Sequence, residues 1–396
     1  MPTFYRYTEG GVVYSFDDVF VPADAFRQGN LWTWGRNYNG VLGNNGAAGG
    51  ETPITTSAGG TNWKQVAAGP TRHTAAIKTD GTLWTWGRNS YGQLGNNTTT
   101  QRNTPVTTFA GGTNWKQVAC GRNFTAAIKT DGTLWTWGAN ANGYLGNNTS
   151  TNRTTPVTTF AGGTNWKQVA CGQSHTAAIK TDGTLWTWGR NLSGQVGNND
   201  TSAFTNYFTP VTTFAGGTNW KQVACGNQHT TAIKTDGTLW TWGRNYRGQL
   251  GDNTTTTRYT PVTTFAGGTN WKQVAGAPEN TMAIKTDGTL WTWGWGAYLL
   301  GINQSGASDR RTPVTTFAGG TNWKQVGGSG YNHTAAIKTD GTLWTWGTNN
   351  RGEMGDNNTS FSRSIPSTTF AGGTNWKQVA CGYEYTIATT YIDDYQ

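Results

Sequence analysis

Charge is scarce in this 396-residue chain: Asp, Glu, Lys and Arg together make up only 12%. No apolar run is long enough to cross a bilayer as a helix, which predicts a soluble protein without membrane insertion. Residues 1–10 lack a basic segment followed by an apolar core, so no secretion signal is expected. No window shows the apolar spacing of an amphipathic helix. Motifs that carry chemistry are also missing. There is no Gly-x-Ser-x-Gly, no His-Glu-x-x-His and no phosphate-cradling Gly-Lys-Thr. The acidic pairs Asp17/Asp18 and Asp393/Asp394 are adjacent residues, which point apart on an extended chain. The expectation is a non-enzymatic protein with no cofactor and no metal.

What is abundant is repetition. Leu-Trp-Thr-Trp-Gly begins at Leu31, Leu83, Leu134, Leu185, Leu239, Leu290 and Leu343, a period of 51 to 54 residues. Thr-Asn-Trp-Lys-Gln-Val recurs seven times with it, first at Thr61 and last at Thr374. Each period holds four extended stretches: His-Thr-Ala-Ala-Ile-Lys, Thr-Leu-Trp-Thr-Trp, Thr-Pro-Val-Thr-Thr-Phe and Trp-Lys-Gln-Val-Ala-Cys. All are rich in β-branched or aromatic residues and bounded by Gly, Asn or Asp, as strands are. The first two are joined by Asp-Gly, where glycine supplies the positive φ of a tight turn. Four strands in a unit of about fifty residues fit a propeller blade. The fold class is therefore all-β: a closed seven-bladed propeller of four-stranded antiparallel blades over 31–396, preceded by a leader over 1–30.

Asp-Gly occurs only six times. Where the seventh belongs, Tyr385 to Ile392 replaces His-Thr-Ala-Ala-Ile-Lys, and Leu31-Trp-Thr-Trp-Gly lacks its preceding strand. These two segments are expected to pair and close the ring, which removes exposed sheet edges. Of the twenty-two tryptophans, all but Trp295 belong to the repeated phrases, so they read as blade packing rather than a stacking platform.

The four histidines, His73, His175, His229 and His333, share one repeat position, filled elsewhere by Phe124, Asn280 and Tyr385. Residues on separate blades cannot all approach one ion within about 2.1 Å, so the slot reads as structural. Cys120, Cys171, Cys225 and Cys381 likewise share one slot and are expected to be buried free thiols. The net charge of +9 raises nucleic acid as a partner. All thirteen lysines, however, sit at two repeat positions spread evenly round the ring, as expected of a solvated face, so nucleic acid is disfavoured.

Connections between up-and-down strands alternate between two faces. Thr-Asp-Gly and Ala-Gly-Gly-Thr-Asn, nearly identical in every copy, share one face; the two remaining connections vary and share the other. The varied face offers Tyr38, Arg72, Tyr91, Arg122, Tyr246, Arg247, Trp295, Tyr298, Tyr331, Arg351, Tyr383 and Glu384 as candidate binding residues, a composition suited to recognition on a rigid frame.

The combination Gly-x-x-His-Thr, Asp-Gly-Thr-Leu-Trp-Thr-Trp-Gly, Gly-Gln-Leu-Gly and Pro-Val, as in His73 to Gly95 and His229 to Gly251, resembles the regulator of chromosome condensation repeat. The resemblance covers 31–396 and implies the seven-bladed propeller. It also implies a cytoplasmic scaffold, or an exchange factor for a small GTPase that docks on chromatin. The inserted wedge and basic tail that go with exchange are not visible in the sequence. The leader, Thr3-Phe-Tyr-Arg-Tyr followed by Phe16-Asp-Asp-Val-Phe-Val-Pro-Ala-Asp-Ala-Phe-Arg, resembles virion proteins of marine cyanobacterial phages. That second resemblance implies a virion structural or tail-fibre-type protein, anchored to other virion proteins through Phe4, Tyr5, Phe16, Phe20 and Phe26. Its varied face would meet a host-surface receptor or a neighbouring virion protein.

Overall fold

The computed structural model describes residues 7–9, 12–14, 29–46, 48–202, 205–304, 309–359 and 362–391. Seven four-stranded antiparallel sheets follow one another around a central channel. In the first blade the strands run outward in the order Trp63–Ala68, His73–Lys78, Leu83–Gly87 and Arg102–Thr107. Blades two to six repeat this order, beginning at Trp115, Trp166, Trp220, Trp271 and Trp323. The seventh is composite: Trp376–Cys381 and Tyr385–Thr390 from the end of the chain, then Leu31–Gly35 and Gly50–Thr55 from its beginning. Closure is the antiparallel pairing expected from the sequence, with Leu31 opposite Thr389 and Gly35 opposite Tyr385.

Two expectations shift in detail. The outer strand starts before Thr-Pro-Val and ends before Phe, as in Arg102–Thr107, because the phenylalanine has left the ladder for the inter-blade connection. Short helical pieces also occur, a 3₁₀ turn at Tyr38–Gly40 and one α-turn at Ala297–Leu300. Both lie within varied connections, where no strand partner constrains the backbone.

Each repeated phrase has a structural task. Asp131 accepts hydrogen bonds from the backbone N–H (2.9 Å) and hydroxyl (2.7 Å) of Thr133, and that hydroxyl accepts the indole N–H of Trp135 at 2.8 Å. The spacing in Asp-Gly-Thr-Leu-Trp is thus the spacing of a hydrogen-bonded relay, and the Thr133 bonds hold the Asp131 carboxyl below its ordinary range. Gly132, at φ +80°, lies so close to the next blade that a Cβ would meet the Thr164 carbonyl oxygen at 2.0 Å. The glutamine of Trp-Lys-Gln-Val binds the neighbouring blade: Gln65 donates to the Val118 carbonyl and accepts its N–H, at 3.1 and 2.9 Å.

The core lies between blades. Ala75, Ile77 and Leu83 of the first blade pack with Trp115, Val118, Ala127 and Trp137 of the second. Trp137 is fully buried and donates to the Gln93 carbonyl of the preceding blade at 2.9 Å. At roughly 25 cal/mol per Å² and about 200 Å² per indole, each such tryptophan contributes on the order of 5 kcal/mol gross. The tryptophans are therefore accounted for by packing.

The histidines form inter-blade links. His73 meets the Thr125 hydroxyl at 3.1 Å, and His175, His229 and His333 meet Thr230, Thr281 and Thr386 in the same way. Burial pushes the His73, His175, His229 and His333 pKa values down to about 3, so all four are neutral in the fold. The cysteines end the innermost strands and face the channel, a cavity of about 120 Å³. Cys120 and Cys381 are buried and Cys171 and Cys225 half-buried, and all four are free. Burial raises the thiol pKa values, that of Cys381 to about 12, which suppresses thiolate chemistry.

Candidate functional site

The division into two faces is visible in the hydrogen bonds. On the constant face, the turn after each second strand is tied to the connection between blades: Thr79 N–H donates to the Asn62 carbonyl at 2.9 Å, and Trp115 N–H to the Gly81 carbonyl at 3.0 Å. On the varied face, the end of each third strand is tied to the loop before the second: Arg88 N–H donates to the Arg72 carbonyl at 2.8 Å. The varied loops carry a common skeleton beneath their differences. Asn89 accepts the Leu94 N–H at 3.0 Å and donates to Asn96, and one asparagine per blade, such as Asn97 at φ +60°, takes the left-handed conformation that asparagine tolerates. Diversity is thereby confined to a few projecting positions.

Several candidate residues converge where the ring closes. Glu384 accepts a 2.8 Å hydrogen bond from Arg36 and lies 3.9 Å from Arg72. The Arg72 guanidinium sits 4.2 Å from the Tyr38 ring centroid and 5.0 Å from that of Tyr383, within cation–π range. Arg36 is held above its ordinary pKa chiefly by its hydrogen bond to Glu384. Tyr38, Arg72, Tyr383 and Glu384, separated in sequence by more than 300 residues, form one cluster across the closing blade.

Tyr331 extends this cluster over the channel. Its ring packs edge-on against Tyr383 at 5.1 Å, while its hydroxyl accepts hydrogen bonds from Gln173 and Asn227, at 2.9 and 3.0 Å. The sixth blade therefore reaches the third and fourth, and the channel mouth is bridged on the varied face. Beside the bridge, Pro70, Thr71, Arg72, Arg88, Arg122, Tyr331 and Tyr383 line a pocket of about 310 Å³.

The remaining candidates lie elsewhere on this face. Arg247 pairs with Glu279 at 3.8 Å and Asp309 at 3.6 Å, beside Tyr246, which is 63% exposed and lies 5.0 Å from the Arg244 guanidinium. Trp295 and Tyr298 contact each other edge-on at 6.2 Å. Tyr91 and Arg351 stand apart from these groups. The anchor candidates Phe4, Tyr5, Phe16, Phe20 and Phe26 lie outside the described residues; within the leader, Tyr7–Glu9 pairs with Val12–Tyr14.

Sequence reading missed Arg36 and Arg88 as site residues. The signal was available, since arginine follows Leu-Trp-Thr-Trp-Gly at 36, 88, 190 and 244. Gln173 and Asn227 were legible as positions of the varied loops, but only the fold shows Tyr331 arriving on them from across the channel. Among the described residues, no group of three or more His, Cys, Asp or Glu side chains is placed to hold a metal ion.

A family model described as the RCC1-like domain matches residues 25–317. The chain belongs to the RCC1-like family. Models of the RCC1 repeat also match residues 340–389 and 323–353, and the repeat resemblance stands. The ultraviolet-B receptor UVR8 of Arabidopsis thaliana is 32% identical over 324 residues, covering 80% of this chain and 72% of the receptor. The human E3 ubiquitin-protein ligase HERC2 is 28% identical over 280 residues, 70% of this chain but only 6% of the ligase. Among solved structures, yeast RCC1 (Prp20), described bound to Kap60 and also for its binding to Gsp1p and histones, superposes with a TM-score of 0.81. It is 20% identical, with 93% of this chain and 90% of that chain covered, a likeness of fold. These relatives back the cellular alternative, a scaffold or an exchange factor, better than the virion assignment drawn from the leader. No helix among the described residues is long and apolar enough to cross a membrane.

Proposed function

We propose that this RCC1-like propeller is a non-catalytic protein-binding scaffold that engages its partner through the varied face. The observation that carries the reading is the cluster of Arg36, Tyr38, Arg72, Tyr331, Tyr383 and Glu384 around the bridged channel mouth. Arginine and tyrosine are the side chains that dominate recognition at protein interfaces, and here they are held by ion pairs and ring contacts before any partner arrives. The protein partners of Prp20, Kap60, Gsp1p and histones, lend the reading support by fold alone. Asn30 enters the ring on the opposite side, accepting the Thr390 N–H at 3.2 Å, which supports reading the leader, 1–30, as a tether that leaves the varied face free.

The test is photo-crosslinking in the source cell, with a benzophenone amino acid placed at Tyr38 or Tyr246 on the varied face and at Lys116 or Phe160 on the constant face. One protein captured reproducibly from the varied-face positions alone is the expected result. Capture from the constant-face positions alone would overturn the assignment.

A further inference from the structure

The pocket beside the Tyr331 bridge has a chemistry of its own. Arg72 and Arg88 come from the first blade and Arg122 from the second, and no carboxylate lines the cavity. The adjacent Glu384 is 2.8 Å from Arg36 and 3.9 Å from Arg72, so its charge is directed mainly away from the pocket. Arg88 and Arg122 have no carboxylate within 4.0 Å among the described residues; the Arg88 Nε contact is with the Ser90 hydroxyl at 3.4 Å. Elsewhere on the same face some arginines are matched, Arg247 with Glu279 and Asp309, Arg258 with Asp252 and Arg363 with Asp356.

The walls are fixed. Thr71 donates to the Asn123 side chain across the two blades at 3.0 Å, and Tyr331 is pinned by Gln173, Asn227 and the Tyr383 ring. A rigid cavity with three guanidiniums and no internal anion is complementary to a carboxylate, which guanidinium groups bind in bidentate geometry. At about 310 Å³ it is at the small end for binding sites and suits one or two acidic side chains.

We infer that this pocket binds an acidic protein segment, receiving Asp or Glu side chains between Arg72, Arg88 and Arg122. The inference rests on the varied face being the binding face and names the chemistry of what it binds. A nucleic-acid backbone is the less fitting ligand, since a pocket of about 310 Å³ admits single side chains rather than a run of phosphates.

The experiment titrates purified full-length protein into a fluorescein-labelled hexaglutamate peptide, read by fluorescence anisotropy at low salt, with hexaglutamine, inorganic phosphate and a DNA duplex in parallel. Arg88→Gln and Arg122→Gln are each expected to weaken hexaglutamate binding about tenfold, the loss of one charge-assisted contact, with an unchanged melting temperature. Arg190→Gln, on the third blade and outside the pocket lining, should bind as the parent does. The inference is overturned by absent binding, by equal binding of hexaglutamine, by indifference to Arg88→Gln and Arg122→Gln, or by phosphate or duplex displacing the peptide at lower concentration than unlabelled hexaglutamate. Because the readout is a purified binary titration, its failure leaves the crosslinking result standing, and the reverse holds too.

Discussion

The two faces of the ring carry equal numbers of blades but different cations. All thirteen lysines occupy the constant-face ends of strands, and all fourteen described arginines lie in the varied loops or at the varied-face starts of outer strands. On the constant face Lys129 lies 4.9 and 4.8 Å from the Trp115 and Trp135 rings, and five other blades repeat that contact. Its charge is thereby committed to the fold. The arginines present planar, multi-donor groups at positions that differ from copy to copy, which a lysine's point charge cannot imitate. The constant face is also less bland than its sequence suggested. Phe109, Phe160, Phe214, Phe265, Phe317 and Phe370 are exposed there, at 58 to 66%, with Ser57 in the seventh copy. They stand one to a blade, as isolated surface hydrophobics, whereas the varied face gathers its aromatics around one mouth. One face repeats a contact; the other assembles a site.

Acid should separate the two ends of the strands with the largest effect. The histidine links lie toward the varied face, and their folded pKa values near 3 sit below the ordinary 6.5. The folded state therefore binds fewer protons than the unfolded chain. The stability they contribute is complete above pH 6.5 and is lost as pH falls toward 3, at about 2 kcal/mol per histidine by pH 5. The constant-face Asp131 has the same ordering, its folded pKa below that of an unfolded carboxyl, but in a more acid window, so its contribution is complete above the usual carboxylate range and is lost only as the pH falls through it. Urea unfolding at pH 8, 6.5 and 5 should show a steep decline over the upper window, shallower in His175→Asn, which installs the residue found at position 280. A flat profile down to pH 5 would remove the histidine links from the account.

Substitution should separate the faces next. Gly132→Ala on the constant face forces a Cβ against the Thr164 carbonyl at positive φ and is expected to cost about 3 kcal/mol or more. Tyr91→Ser on the varied face should stay within about 0.5 kcal/mol. Equal costs in denaturant titrations would show that the varied loops are as structural as the turns.

The smallest effect concerns Glu353, which occupies the glutamine position of Gly-Gln-Leu-Gly at the junction of the sixth and seventh blades. It is buried and accepts the Arg351 N–H at 2.8 Å, as Gln93 accepts that of Tyr91 at 3.0 Å. Burial raises its pKa to about 7, so the folded state holds the proton longer than the unfolded chain. The penalty is absent near pH 4 and complete above pH 7. Glu353→Gln should stabilise the ring by up to about 3 kcal/mol at pH 8 and leave it unchanged at pH 4, measured by thermal unfolding. Stabilisation at both pH values would point to packing instead of charge.

Blade number, strand order, ring closure and the two faces were legible because seven copies in one chain report which positions are held fixed. The repeated Trp, Gly and Asp-Gly-Thr positions proved to be the inter-blade contacts themselves. The pocket was not legible. Arg88 and Arg122 lie on different blades, and their meeting depends on loop conformations and on a tyrosine crossing from the far side of the channel. Cys171 and Cys225 read as buried because their slot admits only small residues, but small residues are also what a narrow channel wall requires.

Near-identity among copies creates an ambiguity that the closing blade has to resolve. Leu31-Trp-Thr-Trp-Gly has the same sequence as six other third strands, so backbone pairing by itself cannot tell the chain which second strand is the proper neighbour of its first. Tyr385 distinguishes the right one. Its hydroxyl donates to the His73 carbonyl at 2.8 Å and accepts from Thr74, where each histidine meets the next blade's threonine, and its larger ring packs on Val41 and Leu42. A single phenol thus acts as a key against miscounting. Without it, the ends of two chains could exchange and join into linked rings or open polymers.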